Sequence, residues 1–392
     1  MKYNFDEVIE RKESYSIKWD GLEERFSKND LIPMWVADMD FKSPKPVIDA
    51  LKNRVDHGIF GYTFRPSSYS EAIINWLRKR HKWEILEEWI AYSPAILPGI
   101  SFIIQSLTLP GDKIIIQPPV YYPFFEIIKN SGRYIVENCL RLYNDKYYMD
   151  FDDLIKKVKD SKTKILILCN PHNPVGRVWT EEELLKLGKI CIKNNILIIS
   201  DEIHSDIILN GNKHTPFAKI SKKFSLNSIT CISPSKTFNL AGLQTAAMII
   251  PNNRYMSIYN NVMEMNRIRK NNIFGMVALI AAYNYGEEWL DQLLDYLQGN
   301  LNFLIKFINK NIPNIGVIKP EGTYLVWLDC RELLNNFENL DNFFIDKAKI
   351  ALDSGYWFGL PGRGFMRINI ACPRHLLEKG LENIKIAVKN IE

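Results

Sequence analysis

Short unbroken runs of aliphatic and β-branched residues recur along the middle of the chain, at Lys113–Gln117, Lys164–Asn170, Ile196–Ser200, Ile229–Ser233 and Ala246–Ile250. Alternating apolar and polar positions mark a strand with one wet face. Continuous apolar runs of this length mark strands covered on both faces, so the pattern predicts a buried parallel sheet. Between the second and third runs, Thr180 precedes Glu181, Glu182 and Glu183 and then the amphipathic stretch Leu184–Lys193. A hydroxyl that caps the free amides of a first turn, followed by acidic residues, predicts a helix there and hence a strand–helix–strand crossover. Pro98 stands where another helix would begin, after Ser93-Pro94-Ala95-Ile96-Leu97; Ile100–Leu107 continues it and Pro110-Gly111 ends it. A first turn loses nothing by the missing proline amide, and its neighbours' free amides can face an anion. Beyond about Tyr285 the pattern lengthens into the amphipathic Glu287–Lys310, a strand at Thr323–Leu328 and a C-terminal helix after Pro373. The expected organisation is a large α/β domain over residues 51–285 and a smaller α+β domain over 286–392, joined by the N-terminal segment 1–50.

Composition narrows this picture. The 392 residues include 46% apolar and 12% aromatic side chains, enough for a sizeable core, and 24% charged ones, ordinary for a globular surface. The net charge of +5 comes from 50 basic and 45 acidic residues spread along the chain. The cluster Arg78-Lys79-Arg80-His81 reads as a solvated helix face, and no nucleic-acid partner is expected. The N-terminus has no apolar core of a signal peptide, and the longest apolar runs are strand-sized, so the expectation is a cytoplasmic protein without membrane contact. Six cysteines, at 139, 169, 191, 231, 330 and 372, show no C-x-x-C and no metal-like spacing with histidine. They read as small buried hydrophobes, and no metal is expected.

Ligands of open α/β sheets bind beyond the carboxyl ends of the strands, which gives weight to polar residues placed there. Lys164–Cys169 runs into Asn170-Pro-His-Asn173, Ile196–Ser200 into Asp201-Glu-Ile-His204, and Ile229–Ser233 into Pro234-Ser235-Lys236. Singly, these are turn, cap or solvated residues. Together they bring an amide, a carboxylate and an amine to one crevice, which suits a cofactor with a phenolic oxygen, a ring nitrogen and an aldehyde.

The segment Ser233-Pro-Ser-Lys236-Thr-Phe-Asn-Leu-Ala-Gly242 resembles the Schiff-base lysine motif of fold-type I pyridoxal 5′-phosphate (PLP) enzymes, the class I/II aminotransferase superfamily. Within it the chain is similar to the MalY/PatB group of cystathionine β-lyases, which cleave cysteine S-conjugates. The stretches that carry this are Met34–Phe41, Gly61-Tyr-Thr, Pro119–Pro123, Asp201–Asp206, Asn239–Gln244 and Gly364–Pro373. The resemblance implies the type I PLP-dependent transferase fold: a large domain built on a mostly parallel seven-stranded sheet flanked by helices, plus a smaller α+β domain. It implies that Lys236 binds the PLP aldehyde, Asp201 pairs with the ring nitrogen, Asn173 bonds the phenolic oxygen and Tyr121 stacks on the ring. Ser233, Ser235 and the amides of Ile96 and Leu97 would hold the phosphate, with Tyr62 reaching across the interface of a homodimer with shared active sites. Arg367, with Asn173 and Ala37, would bind the substrate, since a planar guanidinium matches a carboxylate.

Three positions depart from common superfamily patterns. Ala95 stands where many relatives carry Gly, and Gln244 where many place a phosphate-binding Arg. His204 takes the place of a Tyr beside the phenolic oxygen; it is a cofactor contact or else a satisfied polar residue near the core. The resemblance favours β-lysis of an L-cysteine thioether to a thiol, pyruvate and ammonia. Transamination stands second, because it shares the first steps, and a non-enzymatic regulator on the same fold stands third.

Overall fold

A computed structural model describes residues 2–268, 270–334 and 339–390. Seven strands form the main sheet: β1 Ile90–Ser93, β2 Lys113–Ile116, β3 Tyr134–Glu137, β4 Thr163–Cys169, β5 Leu197–Asp201, β6 Ser228–Ile232 and β7 Ala246–Ile249, in the spatial order β1-β7-β6-β5-β4-β2-β3. The run from β6 to β3 is parallel throughout. The expected parallel strand at Ala246–Ile250 is antiparallel instead, to both β6 and β1. Its burial is as predicted, but burial does not encode direction: a central strand covered on both faces reads as continuously apolar whichever way it runs. Strands β1 and β3 were not anticipated; β3 is an edge strand with Tyr134 exposed, and its pattern is correspondingly weak.

The crossover from β4 to β5 is the helix Glu181–Lys193, closed at its start by a reciprocal capping box between Thr180 and Glu183. Leu184, Leu187, Gly188 and Cys191 form its buried face. Gly188 lies so close to Phe224 that an added Cβ would fall 2.3 Å from that ring, which is why a residue without a side chain occupies the contact. The helix expected at Pro98 begins two residues earlier, spanning Ile96–Leu107 with Ala95 as its extended N-cap. Pro98 is then its third residue, still within the turn whose amides lack intrahelical acceptors.

A second, antiparallel sheet joins β8 Gly316–Ile318, β9 Leu325–Asp329, β10 Asp353–Ser354 and β11 Phe365–Asn369 in the order β8-β9-β11-β10. The long helix Glu287–Asn311 and the C-terminal helix Arg374–Lys389 accompany it. Residues 32–33 pair in parallel with Ile350–Ala351, and the buried Met34 bonds both Ala351 and Asn369 through its backbone. The N-terminal segment is thereby tied to elements three hundred residues away.

Two expectations about polar residues need correction. All six cysteines are free thiols and Cys139 is only half-buried; it follows the edge strand β3, where cover is incomplete. Arg78 and Lys79 do face solvent, but His81 at the end of that cluster is buried and bonds Asp206 through Nε2 at 2.8 Å. No described helix is long and apolar enough to cross a membrane.

Candidate active site

The carboxyl ends of β4, β5 and β6 open onto a cavity of about 220 Å³ walled by Ala37, Ile96, Leu97, Tyr121, Asn173, Asp201, His204, Ser233, Ser235 and Lys236, along with Ala95, Pro98, Cys169, Ile203, Ala241, Gln244 and Thr245. Asp201 is the last residue of β5, Asn173 follows β4 by four residues, and Lys236 lies in the short helix Pro234–Thr237 after β6. Parallel strands all release their chains at one edge, so the sheet itself brings the amide, carboxylate and amine together.

Lys236 Nζ donates to the carbonyl of Ala37 at 2.6 Å, and Tyr324 Oη donates to the same oxygen at 3.0 Å. Ala37 is held there by side chains on either side. Asn239, at φ +58°, accepts from the amide of Met39 and donates to the carbonyls of Met39 and Phe41; Asn369 donates to the carbonyls of Val36 and Asp38. Beneath Lys236, the buried Asp206 gathers the Trp76 indole, His81 and the Thr237 hydroxyl, which anchors the residue next to the lysine.

Burial sets the charge states here. The Lys236 ammonium is pushed down to about 8, chiefly by loss of water, with Arg367 adding to the effect and Asp38 and Asp201 opposing it. Loss of water also drives the Asp201 carboxyl up to about 7, against the amide of Ile203, which donates to it at 3.1 Å. His204 is held well below the usual histidine range by burial and then by the cations Lys236 and Arg367, so its imidazole is neutral and its Nδ1 lacks a protein partner. The Tyr121 phenol is raised by burial and stays protonated.

One end of the cavity is built for an anion. Ile96 and Leu97 open their helix with amides that have no intrahelical acceptor. Ser233 caps the neighbouring short helix: its Oγ accepts from the Ser235 amide, donates to the Thr245 carbonyl at 2.7 Å and lies 2.9 Å from the Ser235 hydroxyl.

Two predicted site residues lie outside the cavity wall. Arg367, on β11, is buried behind Asn173, donating from Nη1 to Asn173 Oδ1 at 3.0 Å and from Nη2 to the Trp35 carbonyl at 2.9 Å and to Asp353. Tyr62 is 96% exposed, with Lys270 Nζ 4.6 Å from its ring centroid. Asp353, Tyr324, Asp206 and Thr245 escaped the sequence reading. Asp206 ends the Asp201–Asp206 stretch but the sequence gives it no separate role, and Thr245 directly precedes β7; Asp353 lies in the second sheet and Tyr324 directly precedes its strand β9, and local sequence carries no signal of those contacts.

The family described as aminotransferase class I and II matches residues 29–384. The chain is 42% identical over 385 residues to cystathionine beta-lyase PatB of Bacillus subtilis (strain 168), covering 98% of this chain and 100% of that one. A PLP-bound aminotransferase candidate from Clostridium difficile 630 superposes with a TM-score of 0.97 at 50% identity, covering 99% of this chain and 100% of that one. A PLP-bound C–S lyase from Staphylococcus hominis superposes with a TM-score of 0.93 at 37% identity, covering 99% and 98%.

Proposed function

This chain belongs to the class I and II aminotransferase family, and on that premise we propose that it is a PLP-dependent carbon–sulfur β-lyase. It cleaves L-cystathionine or a related cysteine S-conjugate to a thiol, pyruvate and ammonia. The observation that carries the reading is the cavity lined by both Lys236 and Asp201 in a chain alignable over nearly its whole length with a cystathionine β-lyase.

The residues present fit PLP. A buried carboxylate with no hydrogen-bonded cation suits a protonated ring nitrogen, the unpartnered His204 Nδ1, in the same cavity wall as Asn173, suits a further polar contact to the cofactor, and the first-turn amides with Ser233 and Ser235 suit a phosphate. Bound there, PLP supplies an electron sink for charge developing at the substrate Cα. Lys236 Nζ would hold the aldehyde carbon and, once released, move the Cα proton; an amine held near 8 can give and take a proton close to neutrality. Asp201 would keep the ring nitrogen charged. Tyr121 would cover a ring face, and Arg367 with Asn173 and Ala37 would orient the substrate.

Elimination and transamination diverge at one point: whether a β-thiolate departs before Lys236 returns its proton. A good leaving group favours elimination. The test supplies a cysteine thioether with no keto acid and follows thiol and pyruvate together. Sustained, stoichiometric release is expected. A stall after about one turnover per site, relieved by 2-oxoglutarate and without thiol, would install transamination in its place.

The same reading assigns residues 51–285 to the large cofactor-binding domain and 1–50 with 286–392 to the small one, which the pairing of residues 32–33 with Ile350–Ala351 supports. It makes the active unit a cytoplasmic homodimer. The exposed strip Ile59, Phe60, Tyr62 and Phe64 supports a covering partner, because so much adjacent apolar surface is unusual on a monomer.

A further inference from the structure

We propose that Asp353 is a buried counter-ion that occupies Arg367 between substrate molecules and takes up a proton when a substrate carboxylate claims the guanidinium. This rests on the reading of Arg367 as the carboxylate anchor and adds a positioning residue to it.

Asp353 on β10 lies directly across from Arg367 on β11, and opposed residues of an antiparallel pair share a face. Both are sealed from solvent, at 1% and 2% exposure. Arg367 reaches Asp353 Oδ2, Trp35 and Asn173, yet its Nε and the Asp353 Oδ1 are buried with no partner. The pair is balanced in charge and incomplete in bonding. A carboxylate arriving on the Asn173 side would set two anions on one cation where water cannot screen them. Two carboxylates sharing one site relieve that repulsion when one keeps a proton.

Asp353 is poised for that role: burial lifts its carboxyl to about 6 even against the opposing pull of Arg367 and Arg25. The groups facing it are Arg367 on β11, Arg25 from the helix Leu22–Phe26, and Tyr121 and Tyr122 from the segment before the helix Pro123–Asn130. Both phenols are raised by burial and stay neutral, so Asp353 is the member of this group that can change charge near neutrality. The sign follows. Below about 6 the acid is already protonated and substrate meets a free guanidinium; above it, each binding event draws a proton from solution, and affinity falls as pH rises.

The test is calorimetry of the PLP-loaded protein with 3-(methylthio)propionate, which has the carboxylate and thioether but no amine, in buffers of different ionisation enthalpy. At about pH 7.5 the wild type should take up about one proton per site, and its Kd should rise about tenfold per pH unit above the Asp353 transition. D353N, and D353S as a second variant, should take up none, bind more tightly at that pH and show a flat profile. Wild-type uptake near zero overturns the proposal without any variant. Arg367→Gln separates the two ways of failing. If it binds as well as wild type, the anchor reading falls and takes this proposal with it. If it loses binding while D353N keeps the wild-type proton uptake, the anchor stands and the counter-ion role is overturned.

Discussion

Lys236 and Asp201 are pushed by the same loss of water in opposite directions, the amine down and the acid up, because burial always disfavours the ion. Condensation with an aldehyde needs the neutral amine. The rate of PLP capture by cofactor-free protein, followed by absorbance, should therefore climb with pH and level off above about 8 rather than near 10.5. Lys236→Ala should form no covalent link, and borohydride should fix phosphopyridoxyl on the Lys236 peptide of wild type; a label on another lysine would contradict the assignment. Asp201 gives a stability signature with a definite sign. Its folded value stands above the ordinary 3.8, so the cost of burying it ionised is absent below that pH and grows as pH rises toward about 7. Asp201→Asn should thus raise the Tm of cofactor-free protein at pH 8 and leave it unchanged at pH 3. With PLP bound, the same variant should lose about 3 kcal/mol of transition-state stabilisation, since an amide cannot balance a ring cation. Near-normal turnover with PLP retained would remove Asp201 from that role.

Elements deliver these side chains through their ends. The capping box at Thr180 starts the crossover helix that carries the chain from β4 to β5, and so from Asn173 to Asp201. Thr180→Ala should cost about 1 kcal/mol in a denaturant titration without changing the cofactor spectrum, because neither Thr180 nor Glu183 lines the cavity. Asn239 is the more sensitive joint. Its three hydrogen bonds fasten residues 39–41 to the segment after Lys236, and its left-handed backbone suits Asn better than most side chains. Asn239→Ala should cost about 1–3 kcal/mol, the range for stranding buried backbone groups, and should also lower turnover by loosening Ala37. Unchanged stability and turnover would show that the clamp is redundant with Asn369 on the other side of Ala37.

For the whole molecule the decisive question is whether two chains share each site. Tyr62 is almost fully exposed and lies outside its own chain's cavity wall, which is the expected condition of a residue that serves a partner. Inactive Tyr62→Ala and Lys236→Ala chains, mixed into heterodimers, should recover activity, because one site then holds both native residues. Verified heterodimers with no activity would place Tyr62 and Lys236 in service of the same chain's site.

Sequence alone determined the α/β class, the strands after which Asn173, Asp201 and Lys236 fall, and the helix cap at Thr180, since continuous apolar runs and capping chemistry are local properties. It left the direction of β7 undetermined, because two-sided burial looks the same for a strand of either sense. It was silent on β3, whose exposed edge weakens the pattern. Only the tertiary structure set Asp353 opposite Arg367, Tyr324 on the Ala37 carbonyl and Asp206 beneath Thr237. Those contacts join residues of different elements, from 14 to 287 positions apart, and their energy comes from burial and charge in a shared interior. No stretch of sequence records that interior until the sheets have packed.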